Sequence, residues 1–190
     1  ELNIIKPDTH IYYYMKRKKI NNQYLLYFYP EIKDFMNKED FDNFEQQIIK
    51  INNYDISRHN GENESYICSL IRDDSAEEFI TYVNKTNISL SQTKIKSSIF
   101  ETNAFLLDHE PTLIEYAAFY GSINIFQYLR LQKVDLKPSL WLYAIHSNSP
   151  EMIHLLEDYD VAPEDSRFEE CYKESIKCHH NAIANYIKEC

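Results

Sequence analysis

The segment from Pro111 to Leu129 constrains the fold more than any other, because it reads as two short helices joined by a tight turn. Thr112 is placed to cap the first helix, and Glu115, three residues on, can reach back to the cap's own amide as in a capping box. Ala117 and Ala118 leave room for a close helix contact. Gly121 then ends the helix, since glycine enters the left-handed backbone conformation without steric cost. Ser122 beside it is placed to cap a second helix whose apolar stripe is Ile125, Phe126 and Leu129. A hairpin of this kind cannot hide its apolar face alone, so the chain must supply neighbours for it to stack on.

Such neighbours recur along the sequence. Leu140 through Asn148 aligns with Leu113 through Gly121, and Asn148 fills the glycine slot, a role that asparagine tolerates better than most side chains. Ser149, Pro150 and Glu151 then give a cap followed by proline at the first helical position, ahead of Met152, Ile153, Leu155 and Leu156. Upstream, Ile67, Leu70 and Ile71 precede a capping box predicted at Ser75 to Glu78 and the stripe Phe79, Ile80, Val83. Downstream, Ser166 to Glu169 predicts a cap for a last copy carrying Ile176, His179, Ile183 and Ile187. With Ser75, Gly121, Asn148 and His179 as turn markers, successive spacings are 46, 27 and 31 residues.

Those spacings average near the ~33 residues of an ankyrin unit. The run Thr112-Leu113-Ile114-Glu115-Tyr116-Ala117-Ala118-Phe119-Tyr120-Gly121, then Ile125, Leu129 and Lys133-Val134-Asp135, resembles the ankyrin pattern T-P-L-H-x-A-A-x-x-G, I/V, L, G-A-D. It departs at Leu113 for proline, Glu115 for histidine and Lys133 for glycine. The longer wording, Pro111 to Ile123 and then Leu140 to Asn148, is similar to a divergent set of protist ankyrin proteins known only as a domain of unknown function. The resemblance implies an all-α, ankyrin-type helical-hairpin solenoid of about four degenerate repeats over residues 64–190, with an insertion at about 84–110. Residues 1–63 would then be an N-terminal aromatic-rich helical region that caps the array. The resemblance further implies that first helices line a concave face and that the two residues before each turn are exposed and variable, as partner-binding residues are. These are Phe119 and Tyr120, His146 and Ser147, Lys177 and Cys178. Packing of Phe119 and Tyr120 on the aromatic N-terminal region is an equal alternative.

Within the N-terminal region, Asn37 and Asp40 predict a cap for a helix over 38–51 that carries Phe41, Phe44, Ile48 and Ile51 on one face. Residues 52–63 read as a connector, 84–98 as a polar loop with short extended pairs, and 98–109 as an amphipathic insertion packed on the hairpin of Pro111. The basic run Lys16, Arg17, Lys18, Lys19, set between tyrosine clusters, raises a nuclear or nucleic-acid alternative. A solvated helix end or connector is the better reading of four basic residues in a chain this acidic. Against nucleic acid stands the balance of 30 acidic to 20 basic side chains, a formal charge of -10 that repels phosphate.

Only 2 glycines in 190 residues disfavour phosphate-cradling loops. The 4 cysteines, Cys68, Cys171, Cys178 and Cys190, lack paired spacing and read as free thiols of a reducing compartment. Cys171, Cys178, His179 and His180 are zinc-ligand types in a spacing that fits no common site, so no metal or cofactor is expected. His146, His154, Cys171 and Cys178 could approach one another across repeats, yet helix-end histidines ordinarily cap or face solvent. Trp141 stands where the ankyrin resemblance implies a buried leucine of the first helix. The expectation is therefore a non-enzymatic protein-protein interaction module, cytoplasmic, with a nuclear place as the alternative and no membrane span. An opening at Glu1 instead of methionine is expected of a fragment or processed chain, and Ile183 and Ile187 without a polar cap suit an array that continues.

Overall fold

The computed structural model describes residues 9–17, 22–51, 53–165 and 167–189, and every regular element among them is helical. The helices are α1 (Thr9–Arg17), α2 (Asn22–Tyr27), α3 (Tyr29–Ile32), α4 (Lys38–Ile48), α5 (Tyr54–Asn60), α6 (Tyr66–Arg72), α7 (Ala76–Thr86), α8 (Ala104–Asp108), α9 (Leu113–Tyr120), α10 (Ile123–Leu131), α11 (Leu140–Ser147), α12 (Pro150–Asp158), α13 (Glu169–Lys177) and α14 (Asn181–Glu189). Extended pairing among the described residues is limited to one isolated antiparallel bridge between Lys94 and Thr112. Two compact units result: one runs to Glu64 and takes in Ser97–Leu107, and the other comprises Ser65–Lys96 and the chain from Asp108 onward.

The first unit is built on tyrosines. Tyr12, Leu25, Leu26, Tyr29, Ile32 and Phe44 form its buried cluster, with Met15, Phe35, Met36, Phe41, Ile48 and Ile99 packed around it. Asn37 caps α4 by accepting the Asp40 amide at 2.9 Å, as its spacing predicts, and the helix stops at Ile48, short of residue 51. The stretch read as a connector instead contains α5. Its polar sequence hides a single buried anchor, Tyr54, whose hydroxyl donates to the carbonyls of Leu26 (2.5 Å) and Tyr27 (3.1 Å). One anchor in seven residues is too few for a periodic signal. The segment read as an insertion on the later hairpin also behaves differently. Phe100 sets its ring against Tyr54, and the Thr102 amide and hydroxyl both donate to the Gly61 carbonyl, at 3.1 and 2.9 Å.

The second unit contains four helical hairpins, α6/α7, α9/α10, α11/α12 and α13/α14. Its first helices pack in sequence, α6 on α9, α9 on α11 and α11 on α13, and α7 packs on α10. Each first helix ends in a left-handed residue: Asp74 (φ 48°), Gly121 (φ 69°), Asn148 (φ 52°) and His179 (φ 59°). The next amide bonds back five residues, from Ser75 to Leu70 (3.0 Å), Ser122 to Ala117 (2.9 Å) and His180 to Ser175 (2.9 Å), which satisfies carbonyls the helix leaves open. Lys133 (φ 63°) and Asp160 (φ 52°) end α10 and α12 in the same way. Lys133 thus takes a left-handed conformation that glycine adopts more readily.

The first turn marker is Asp74, one residue before the predicted Ser75. Ser75 makes no side-chain cap bond. Asp74 accepts a left-handed backbone because its carboxylate works on the next hairpin, receiving the amides of Asn124 and Ile125 at 3.0 Å each and the Asn124 side-chain amide at 2.9 Å. It thus caps α10, the role predicted for Ser122. The buried Ser122 hydroxyl donates instead to the Ile71 carbonyl at 2.5 Å. His180 Nδ1 lies 2.8 Å from the Ile145 carbonyl, so at two steps of the stack the residue after a turn reaches the carbonyl three residues before the preceding turn. The capping box of α9 forms as predicted, with Thr112 and Glu115 in reciprocal bonds, and Ser149 caps α12 through the Met152 amide at 3.2 Å. For α13, Ser166 lies outside the described residues, and Asp165 accepts the amides of Glu169 (2.5 Å) and Glu170 (3.2 Å).

Candidate functional site

The C-terminal ends of the first helices bring the sequence-nominated residues onto one strip. It begins on α6, where Arg72 donates to the Tyr116 hydroxyl at 3.1 Å and lies 5.9 Å from the centre of the Tyr120 ring. Tyr120 meets Phe119 edge to face at 5.0 Å, and Phe119 stacks on the His146 imidazole at 4.9 Å with the planes 23° apart. His146, in the last turn of α11, meets two residues of the next first helix. Its Nε2 is 3.2 Å from Glu174 Oε1, and its Nδ1 is 3.4 Å from Cys178 Sγ. Lys177 closes the strip with its ammonium 2.7 Å from Glu174 Oε2.

The structure corrects one nominated residue. Phe119, expected to be an exposed anchor, is 7% accessible, because the His146 ring covers one of its faces. Tyr120, His146, Ser147 and Cys178 are half-buried, and Lys177 is exposed. Ser147 turns its hydroxyl back to the Ala144 carbonyl at 2.6 Å and also accepts the Ser149 amide at 3.1 Å, which gives it a local role in the turn. Arg72 and Glu174 were missed. Counting back two residues from Asp74 gives Arg72 at the position of Phe119 and His146, whereas counting from Ser75 does not. Glu174 shows itself only through its i, i+4 spacing to Cys178, which places both on one helix face.

Of the four residues that could have met across repeats, His146 and Cys178 do. His154 pairs with Glu157 at 2.9 Å, and Cys171 is buried on α13 with its thiol pushed up to about 12, by burial first and Asp165 second. Cys178, His146 and Glu174 stand in the order of nucleophile, base and orienting acid. Their electrostatics run the other way. Burial lowers the His146 imidazole below its ordinary value, against the pull of Glu174, and burial with the Glu174 charge raises the Cys178 thiol. Both shifts favour the neutral pair over a ready thiolate. These three side chains are also the one set among the described residues whose ligand atoms, all within 4.8 Å of one another, could surround a metal ion.

The predicted basic patch lies in the first unit. Lys16 pairs with Asp40, which also receives the Tyr12 hydroxyl, and Arg17 is exposed at the end of α1. Lys18 and Lys19 lie outside the described residues. Tyr12 is buried, while Tyr13 and Tyr14 are exposed. No helix among the described residues is long and apolar enough to cross a membrane. Comparison of the chain with known proteins finds no matching family model, no matching curated protein and no matching solved structure.

Proposed function

We propose that the second unit is a non-enzymatic, ankyrin-type interaction module that binds a protein partner on the face lined by its first helices. The observation that carries this reading is the strip itself. Equivalent positions of successive hairpins, two and one residues before each turn, place Arg72, Tyr120, His146, Cys178 and Lys177 side by side. The strip mixes an aromatic ring, a guanidinium and an ammonium in half-buried or exposed settings. That combination suits a protein interface, where Tyr and Arg are over-represented among the residues that dominate affinity. Ankyrin arrays use the same positions, and the likeness to them rests on the residue pattern and the recurring left-handed turns. The alternative of a nucleic-acid adaptor draws less support, since Lys16 is engaged with Asp40.

The test is affinity capture with the full chain and with Tyr120→Ala/Lys177→Ala, two changes that leave the helix caps and the buried stripe untouched. Proteins that the wild type retains and the folded double variant releases are the expected result. If every captured protein binds the two forms equally, the proposed face is wrong.

A further inference from the structure

We propose that His146, Glu174 and Cys178 form a site for one zinc-type divalent cation that joins α11 to α13. The proposal goes beyond the partner-binding reading and does not rest on it. A thiolate sulfur, an imidazole nitrogen and a carboxylate oxygen make up a zinc donor set, whereas calcium and magnesium sites are built from oxygen. Two anionic donors also balance the charge of a dication in a half-buried position.

The histidine and glutamate donors already stand at the spacing such a site needs. Zinc bonds of about 2.0–2.1 Å to nitrogen, 2.0–2.2 Å to oxygen and 2.3 Å to sulfur give tetrahedral edges of about 3.4 Å for N···O and 3.6 Å for N···S. His146 Nε2 lies 3.2 Å from Glu174 Oε1, within about 0.2 Å of the tetrahedral edge, whereas Cys178 Sγ stands nearer Nδ1 (3.4 Å) than Nε2 (3.8 Å), so the sulfur has to swing toward the Nε2 side to complete the donor set. All three donor atoms lie within 4.8 Å of one another, and the proposal assigns the closing movement to rotation of the Cys178 side chain.

The donors are also held from behind. Glu174 and Cys178 share a helix face at i, i+4, Phe119 stacks flat on the imidazole, and Lys177 occupies Glu174 Oε2, leaving Oε1 directed at the histidine. On binding, the Cys178 S–H bond breaks, its electron pair goes to the cation and the proton goes to solvent, so one proton is released for each cation. Three protein donors leave the fourth tetrahedral position to a water molecule.

The test uses the full chain, stripped with a chelator under reducing conditions and titrated with zinc against a chromophoric competitor, with cobalt(II) in parallel. The expected result is one equivalent of zinc, one proton released, and a cobalt complex with a sulfur-to-cobalt charge-transfer band. Cys178→Ser should abolish that band and weaken zinc by more than about 100-fold, since even an outer-shell loss costs about 10–100-fold. His146→Gln and Glu174→Gln should each weaken zinc, while Cys171→Ser, a thiol outside the cluster, should leave it unchanged. Absence of stoichiometric zinc in the folded wild type overturns the proposal, as does binding that survives Cys178→Ser. Because the wild type is read first, an unfolded variant cannot rescue the idea.

Discussion

The inner and outer hairpins of the second unit solve the same turn with different chemistry. Helix α9 buries Leu113, Ile114, Tyr116, Ala117, Ala118 and Phe119, and α11 buries Leu140, Trp141, Tyr143, Ala144 and Ile145. Helix α13, of similar length, buries only Cys171 and Ser175. An inner first helix has a packed neighbour on each side and must be apolar nearly all round. The last one described has a single packed first-helix neighbour and becomes amphipathic. The turn is what stays constant, with a left-handed residue at its end whether that residue is Gly121, Asn148, His179 or Asp74. Backbone geometry is therefore shared by all four hairpins, while burial is concentrated in the middle of the stack.

The largest expected contrast is between Trp141 and Ile176. Trp141 is 2% accessible, donates its indole N–H to the Val161 carbonyl at 2.5 Å and meets the Phe168 ring edge to face, so Trp141→Ala should cost about 3–5 kcal/mol in denaturant unfolding. Ile176, on the last first helix, is 46% accessible, and Ile176→Ala should stay within about 0.5 kcal/mol. Equal costs would erase the distinction between inner and outer helices.

Asp74→Ala removes the cap of α10 and leaves alanine in the left-handed region, and should cost about 2 kcal/mol. Asp74→Gly relieves the backbone but not the cap, and should recover roughly half of that. Gly121→Ala should cost about 1 kcal/mol, and through the backbone only, because an added Cβ would come no closer than 3.4 Å to Ser147 and Ser149. Crystals of that variant showing displaced Ser147 and Ser149 would assign the cost to crowding instead.

The smallest effect belongs to the first unit. Burial pushes the Asp40 carboxyl upward, but hydrogen bonds from Lys16 and Tyr12 outweigh it and hold the pKa below the ordinary 3.8. A depressed carboxylate adds stability above its unfolded value, and that stability is lost as pH falls below about 4 through the folded value. Asp40→Asn should therefore flatten the acid limb of the stability curve and leave the second unit's hydrogen exchange unaltered.

Legibility in the sequence followed burial. The inner hairpins could be aligned because their residues meet neighbours on both sides, and the caps at Thr112 and Ser149 were readable from spacing alone. The outer turn at Asp74 was misplaced by one residue because its reason is not local: the carboxylate serves amides about 50 residues away, as the separations of 50 and 51 residues to Asn124 and Ile125 record. That slip also concealed Arg72. Helix α5 was missed since one tyrosine anchors it, and within the 98–109 segment residues 98–107 join the first unit while 108 and 109 belong to the second, since amphipathicity does not say which core a segment joins. The His146, Glu174, Cys178 group was half visible: two of its members were named, but their meeting depends on the step between α11 and α13, which no spacing within either helix encodes.

Native-state hydrogen exchange tests the central claim most directly, because it reads the opening of each hairpin separately. The stack described here predicts the slowest exchange in α9 and α11, intermediate protection in α10 and α12, and earlier opening of α6/α7 and α13/α14. Uniform protection across residues 65–189, or slowest exchange in α13 and α14, would contradict a stack held from its middle.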